Sequence, residues 1–178
     1  SASIPEDVLV QDGDFVYEGS FRVPGGTHGS SNFDYGGVGL TYNAANDSLF
    51  MFGKPDDNSI IEVTIPPVDP SNTTLGSLNT ASVIQGFTDA SEGKLINIRK
   101  NLTPGDQNDT PGGIIVYGSK LIFSGYIYYD GSGGGTLTNF KSDMDLTHST
   151  GPLQVGAFGT ISTGQNSAGY VSGFMTTV

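Results

Sequence analysis

Two glycine-led strand pairs, apolar residues spaced by two rather than 3.6, and strands apolar on both faces predict an all-β fold. The form they predict is a β-propeller type, in which repeated four-stranded antiparallel units stack on one another. The first pair lies in "YGGVGLTYNAANDSLFMFG" (Tyr35 to Gly53) and the second in "PGGIIVYGSKLIFSGYIYYDGSGGG" (Pro111 to Gly135).

The elements follow in order. "FVYEGSFRV" (Phe15 to Val23) alternates and reads as a leading strand over residues 15–23. A first unit, residues 33–87, takes its strands from Gly36 to Tyr42, Ser48 to Gly53, Ser59 to Ile65 and Ala81 to Phe87. In it, Leu49 and Met51 point one way and Phe50 and Phe52 the other. Glu62 and Thr64 form a polar face opposite Ile61, Val63 and Ile65, which places that strand near a rim. "DASEGKLINIRK" is the best helical window, but Gly93 interrupts it.

A second unit, residues 111–160, opens with a hairpin. Gly118-Ser119 suits a type II′ turn, whose first central position needs positive φ. Leu121, Phe123, Ile127 and Tyr129 share one face of its second strand; Ile122, Tyr126 and Tyr128 share the other. "TLTNFKSDMDL" and "LQVGAFG" read as its third and fourth strands, and residues 168–178 start a third unit. The units match each other: Gly36-Gly37-Val38 with Gly112-Gly113-Ile114, and Leu49 to Gly53 with Leu121 to Gly125. Strands apolar on both faces need cover on both, and without helices only other sheets can supply it. The alternative all-β reading is a β-sandwich or jelly roll.

The chain has 178 residues, enough for one well-cored domain or a fragment of one. It holds about two and a half units, whereas propellers need about four blades or more. That shortfall predicts either truncation or self-association through open sheet edges.

Composition narrows the function. With 18 acidic and 7 basic residues the net charge is −11, which repels phosphate backbones and argues against nucleic acid as a partner. The absence of cysteine excludes a disulfide framework, a thiolate metal site and a Cys nucleophile. No apolar run approaches the ~20 residues of a membrane span. Only 14 % of residues are charged, so Ser, Thr, Asn and Gly supply most of the polar surface.

Chemistry-bearing residues cluster in acidic loops. Asp106, Asn108 and Asp109 lie close enough to share a cation, and Asp143 and Asp145 would share one face of a strand, repelling unless a cation or partner sits between them. Such oxygen-rich turns make calcium the candidate cofactor; the alternative is that Asp and Asn simply accept turn geometry. Tyr126, Tyr128 and Asp130, beside the "DGSGGG" loop, are candidate ligand-binding residues for a sugar ring, with interstrand packing as the alternative. His28 and His148 sit in separate polar loops, and nothing singles out a catalytic pair among Glu18, Glu62, Glu92 and the aspartates.

"YEGSFRVP" followed by "FDYGGVGLTYNAANDSLFMFG", and later "AGYVSGFM", resembles a group of poorly characterised proteins of environmental bacteria and their viruses. The resemblance implies a propeller-like fold and brings no catalytic residues. The residues and the resemblance together lead to a non-catalytic, extracellular or particle-associated scaffold or binding module, for a glycan or a protein. The alternatives are a fragment of a propeller enzyme acting on saccharides and a virion or filament subunit.

Overall fold

The computed structural model of the chain describes residues 11–36, 39–99, 109–128, 137–147 and 153–155. These form two four-stranded antiparallel sheets, each with its strands adjacent in chain order. The first holds β1 (Leu40–Asn43), β2 (Ser48–Phe52), β3 (Ile60–Thr64) and β4 (Val83–Thr88); the second holds β5 (Asp109–Tyr117), β6 (Lys120–Ile127), β7 (Asn139–Asp143) and β8 (Leu153–Val155). The fold of the described residues is all-β, with helical structure limited to short 3₁₀ segments. The start of a third unit at 168–178 lies outside the described residues, as does the end of "LQVGAFG" after Val155.

The β5–β6 hairpin pairs Tyr117 with Lys120 across Gly118-Ser119. Gly118 has φ +60 and Ser119 is not in the positive region, the type II′ signature expected from the sequence. The β1–β2 connection is longer, and its register places Leu40 opposite Met51 where the second sheet places Ile114 opposite Phe123. With Met51 matching Phe123, the structural partner of Ile114 is therefore Leu40. The sequence match pairs Ile114 with Val38, which lies outside the described residues.

The two sheets pack against each other. Phe50, Phe52 and Ile60 of the first meet Ile114, Leu121, Phe123, Ile127 and Phe140 of the second in one buried cluster. Phe123 stacks on Phe140 at 5.1 Å and takes Phe52 edge-on at 6.2 Å, both favourable ring geometries. The first strands of the two sheets also abut: the Val116 amide donates to Thr41 Oγ1 at 3.1 Å, and a Cβ on Gly39 would lie 2.9 Å from the Gly112 carbonyl oxygen. Window 89–100 forms a 3₁₀ segment, Lys94–Arg99, rather than an α-helix. Its Leu95 and Ile98, three apart and so on one side of a 3₁₀ turn, plug the end of this cluster, in space left by the missing side chain of Gly125.

The other face of the first sheet carries a second cluster: Ile61, Val63, Ala81 and Phe87, joined by Phe21, Phe33, Leu49, Met51 and Val83. Phe21 and Phe33 come from the N-terminal segment. The leading strand expected over 15–23 is not a ladder strand; Phe15, Val16 and Tyr17 are exposed. Gly19, at φ +133, breaks the extended path, and Pro24 brings no amide hydrogen. The N-terminal segment instead makes two isolated parallel bridges, Gly29 to Phe87 on the outer edge of β4 and Arg22 to Thr80 in the chain leading into it. The Ala81 amide donates to the Arg22 carbonyl at 2.8 Å and the Phe87 amide to the His28 carbonyl at 2.7 Å. Gly29 has φ +83, and a Cβ there would sit 2.5 Å from the Phe87 oxygen, so this contact requires glycine. The result is an edge partly covered against strand addition.

Candidate functional site

The polar end of the first sheet's inner face is built by cross-strand register. Asn43 lies opposite Ser48, and Phe50 opposite Glu62. Glu62 is in turn opposite Gln85, and the β3–β4 register slips on both sides of that pair. Bulges of this kind turn a side chain to the other face. Here Val83 stays on the outer face beside Val63 while Gln85, two residues on, faces inward with Glu62.

Glu62 is 0 % exposed. The polar face expected of this strand is thus a dry one: the residues before and after Glu62 are buried too, and neighbours cover both sides of β3. A buried carboxylate needs donors, and Glu62 has four. Asn43 Nδ2 (2.9 Å), Asn46 Nδ2 (3.0 Å) and Ser48 Oγ (2.5 Å) donate to Oε1, and Gln85 Nε2 (2.6 Å) donates to Oε2. Burial pushes the Glu62 carboxyl up, but the donors Ser48, Gln85, Asn46 and Asn43 together outweigh it and hold the group below its ordinary value.

Gln85 extends the cluster to the second sheet. Its Nε2 also donates to the Met144 carbonyl at 3.0 Å, and its Oε1 accepts from the Leu146 amide at 2.9 Å. Above this cluster lies a cleft of about 380 Å³ between the sheets, lined by Asn43, Asn46, Phe50, Glu62, Ile84, Gln85, Met144 and Asp145. Glu62, Phe50 and Asn43 are its closed floor; Asn46, Ile84 and Asp145 are its exposed rim. The accessible chemistry is that of amide and carboxylate oxygens flanked by the apolar Ile84 and Met144.

The residues singled out from sequence fall in several places. Asp145 is on the cleft rim, where its Oδ1 accepts from the Thr147 amide and hydroxyl at 3.0 and 2.8 Å. Asp143 ends β7 and forms an ion pair with Lys120, so the two aspartates do not share a strand. Tyr126 is half-buried on the face of the second sheet turned away from the first sheet, and Tyr128, just past β6, is exposed. Asp109 opens β5 opposite Ile127; Asp106, Asn108, Asp130 and His148 lie outside the described residues. Among the described residues, no three acidic, His or Cys side chains gather as a metal group. His28 caps its own loop, with Nε2 2.9 Å from the Gly25 oxygen.

The sequence reading names Glu62 but not its partners, because Asn43, Ser48 and Gln85 are each a single polar residue in a separate strand and Asn46 sits in a turn. The available signal was their parity: Asn43, Ser48 and Glu62 all fall on the side of their strands that carries Phe50.

The chain matches no family model, no curated protein and no solved structure. No helix among the described residues is long and apolar enough to cross a membrane.

Proposed function

We propose that the chain is a propeller-type binding module or scaffold that holds its ligand without transforming it, at an extracellular or particle surface. The observation that carries this reading is the state of the cleft's one buried carboxylate. Glu62 is held below its ordinary pKa, fully enclosed and committed to four donors, two of them from β1 and its turn and one that ties the sheets together. A general acid needs a raised pKa and reach to the substrate; Glu62 has neither. Its role is to fix the amides of Asn43, Asn46 and Gln85, pre-organising the cleft.

Saccharide is the ligand class that suits the rim, since hydroxyl donors match the oxygens of Asn46 and Asp145 and a pyranose has apolar faces for Ile84 and Met144. The propeller architecture is supported by two meander sheets stacked with their first strands abutting, and by the resemblance to propeller-like proteins of environmental bacteria and their viruses. A surface rich in Ser, Thr, Asn and Gly, and low in charge, supports the extracellular placement.

Calorimetric titration with a panel of soluble polysaccharides, run beside an assay for released reducing ends, tests the reading. The expected result is saturable binding, weakened at least tenfold by Asn46→Ala or Asp145→Ala, with no release. Release of reducing ends would overturn it in favour of a propeller enzyme.

A further inference from the structure

The sheets are stacked in one particular sense. Phe50 and Phe52 of β2 correspond in the repeat to Ile122 and Ser124 of β6, and Leu49 and Met51 correspond to Leu121 and Phe123. Yet Phe50 and Phe52 pack on Leu121 and Phe123. The front of the first sheet therefore meets the back of the second, and equivalent faces never meet. A sandwich of equivalent faces would use up both; front-to-back stacking leaves the first sheet's back and the second sheet's front without a sheet neighbour among the described residues.

Burial follows that prediction at the β1–β2 and β5–β6 hairpins, whereas Ile61 and Val63 on the first sheet's back are buried in the cluster that Phe21 and Phe33 join. Ile114, on the back of the second sheet, is 3 % exposed because the first sheet covers it; its equivalent Leu40 is 57 % exposed. Val116 packs on the same core, whereas its equivalent Tyr42 is 51 % exposed. Phe50, on the front of the first sheet, is buried, whereas its equivalent Ile122 is only half-buried, with Tyr117 exposed on the same face. Single charges of opposite sign, Lys141 and Asp47, stand at the two free faces. The second sheet's front holds Lys141, cross-strand from Ile122, and the Lys120–Asp143 pair. The first sheet's back is edged by Asp47, which accepts the Tyr42 hydroxyl at 2.9 Å.

We propose that these two faces bind each other between copies of the chain. The back of β1–β2 of one copy (Leu40, Tyr42, Leu49, Met51) docks on the front of β5–β7 of the next (Ile115, Tyr117, Ile122, Lys141), continuing the packing step already made inside the chain. Because the two surfaces differ, the contact is head-to-tail, and it closes a ring or runs on as a filament. It rests on the propeller-type reading above, and it makes the occupant of each free face a second copy.

Light scattering across a concentration series tests this directly. The full chain is expected to rise above the 18.5 kDa of one copy as concentration increases. Leu40→Asp and Tyr117→Asp, both at exposed positions that leave the core intact, each leave one docking face whole. Each variant alone is expected at the mass of one chain, and an equimolar mixture at the mass of two and no more. A single-chain mass for the wild type at millimolar concentration overturns the proposal. So does a variant that still self-associates, or a folded pair of variants that fails to combine. Circular dichroism melts of both variants keep a folding failure apart from a docking failure. A monomeric wild type that still binds saccharide overturns the docking alone; an assembled chain that cleaves saccharide overturns the binding reading alone.

Discussion

Gln85 stands 2.6 Å from Glu62 through its Nε2, while its Oε1 accepts from the Leu146 amide at 2.9 Å. One side chain thus satisfies a buried carboxylate in the first sheet and backbone groups beyond the end of β7. Glu62→Ala removes the acceptor and leaves buried amide and hydroxyl donors unsatisfied. Each buried donor left unsatisfied costs about 1–3 kcal/mol, so the loss is expected to exceed that of removing any single donor. Gln85→Ala strips one donor from Glu62 and should cost about 2 kcal/mol. Urea denaturation of both variants checks the order; equal stability of Glu62→Ala and wild type would refute the assignment of Glu62 as the hub.

Acid should weaken the same cluster. The Glu62 carboxyl is held below its ordinary value of 4.5, so the unfolded chain binds this proton more readily than the folded one. Its stabilising contribution is fully present above about pH 4.5 and is lost as the pH falls through the depressed folded value. Thermal melts from neutral pH into this acid range should fall more steeply for wild type than for Glu62→Gln. Parallel curves would mean that other groups carry the acid response.

Gly53 follows β2 where a side chain has no room. A Cβ there would lie 2.9 Å from the Asn32 carbonyl oxygen and press into the Phe87 ring. Gly53→Ala is expected to cost about 1–3 kcal/mol through overpacking. Gly76→Ala, whose Cβ meets nothing nearby, is the control and should change stability by well under that amount.

Phe123 joins the sheets from the other side, stacked on Phe140 and edge-on to Phe52. Phe123→Ala should cost about 3–5 kcal/mol. If the sheets fold as one unit, calorimetry will show a single transition shifted downward. Two separated transitions would show that the sheets unfold independently.

Much of the strand pattern was legible because it depends on local alternation. The order of residues 48–52 shows which of Leu49, Phe50, Met51 and Phe52 share a face, and a two-residue loop with glycine first admits few turns besides II′. The 15–23 segment misleads because alternation alone does not supply a hydrogen-bonding partner, and its one bridge is Arg22 to Thr80, ahead of β4. Glu62 is the opposite case: its polarity predicts a polar face, and Asn43, Asn46, Ser48 and Gln85 make a dry one tenable.

The amino-acid sequence by itself determined the all-β class, the turns that join its strand pairs and the need for cover on both faces, because period-two patterning and turn chemistry act over a few residues. Only the tertiary structure decided where Glu62 goes, how bulges turn Gln85 onto it, and that the sheets stack front-to-back. Those outcomes depend on contacts between residues such as Gln85 and Leu146, which only the packing of one sheet on the other brings within hydrogen-bond reach.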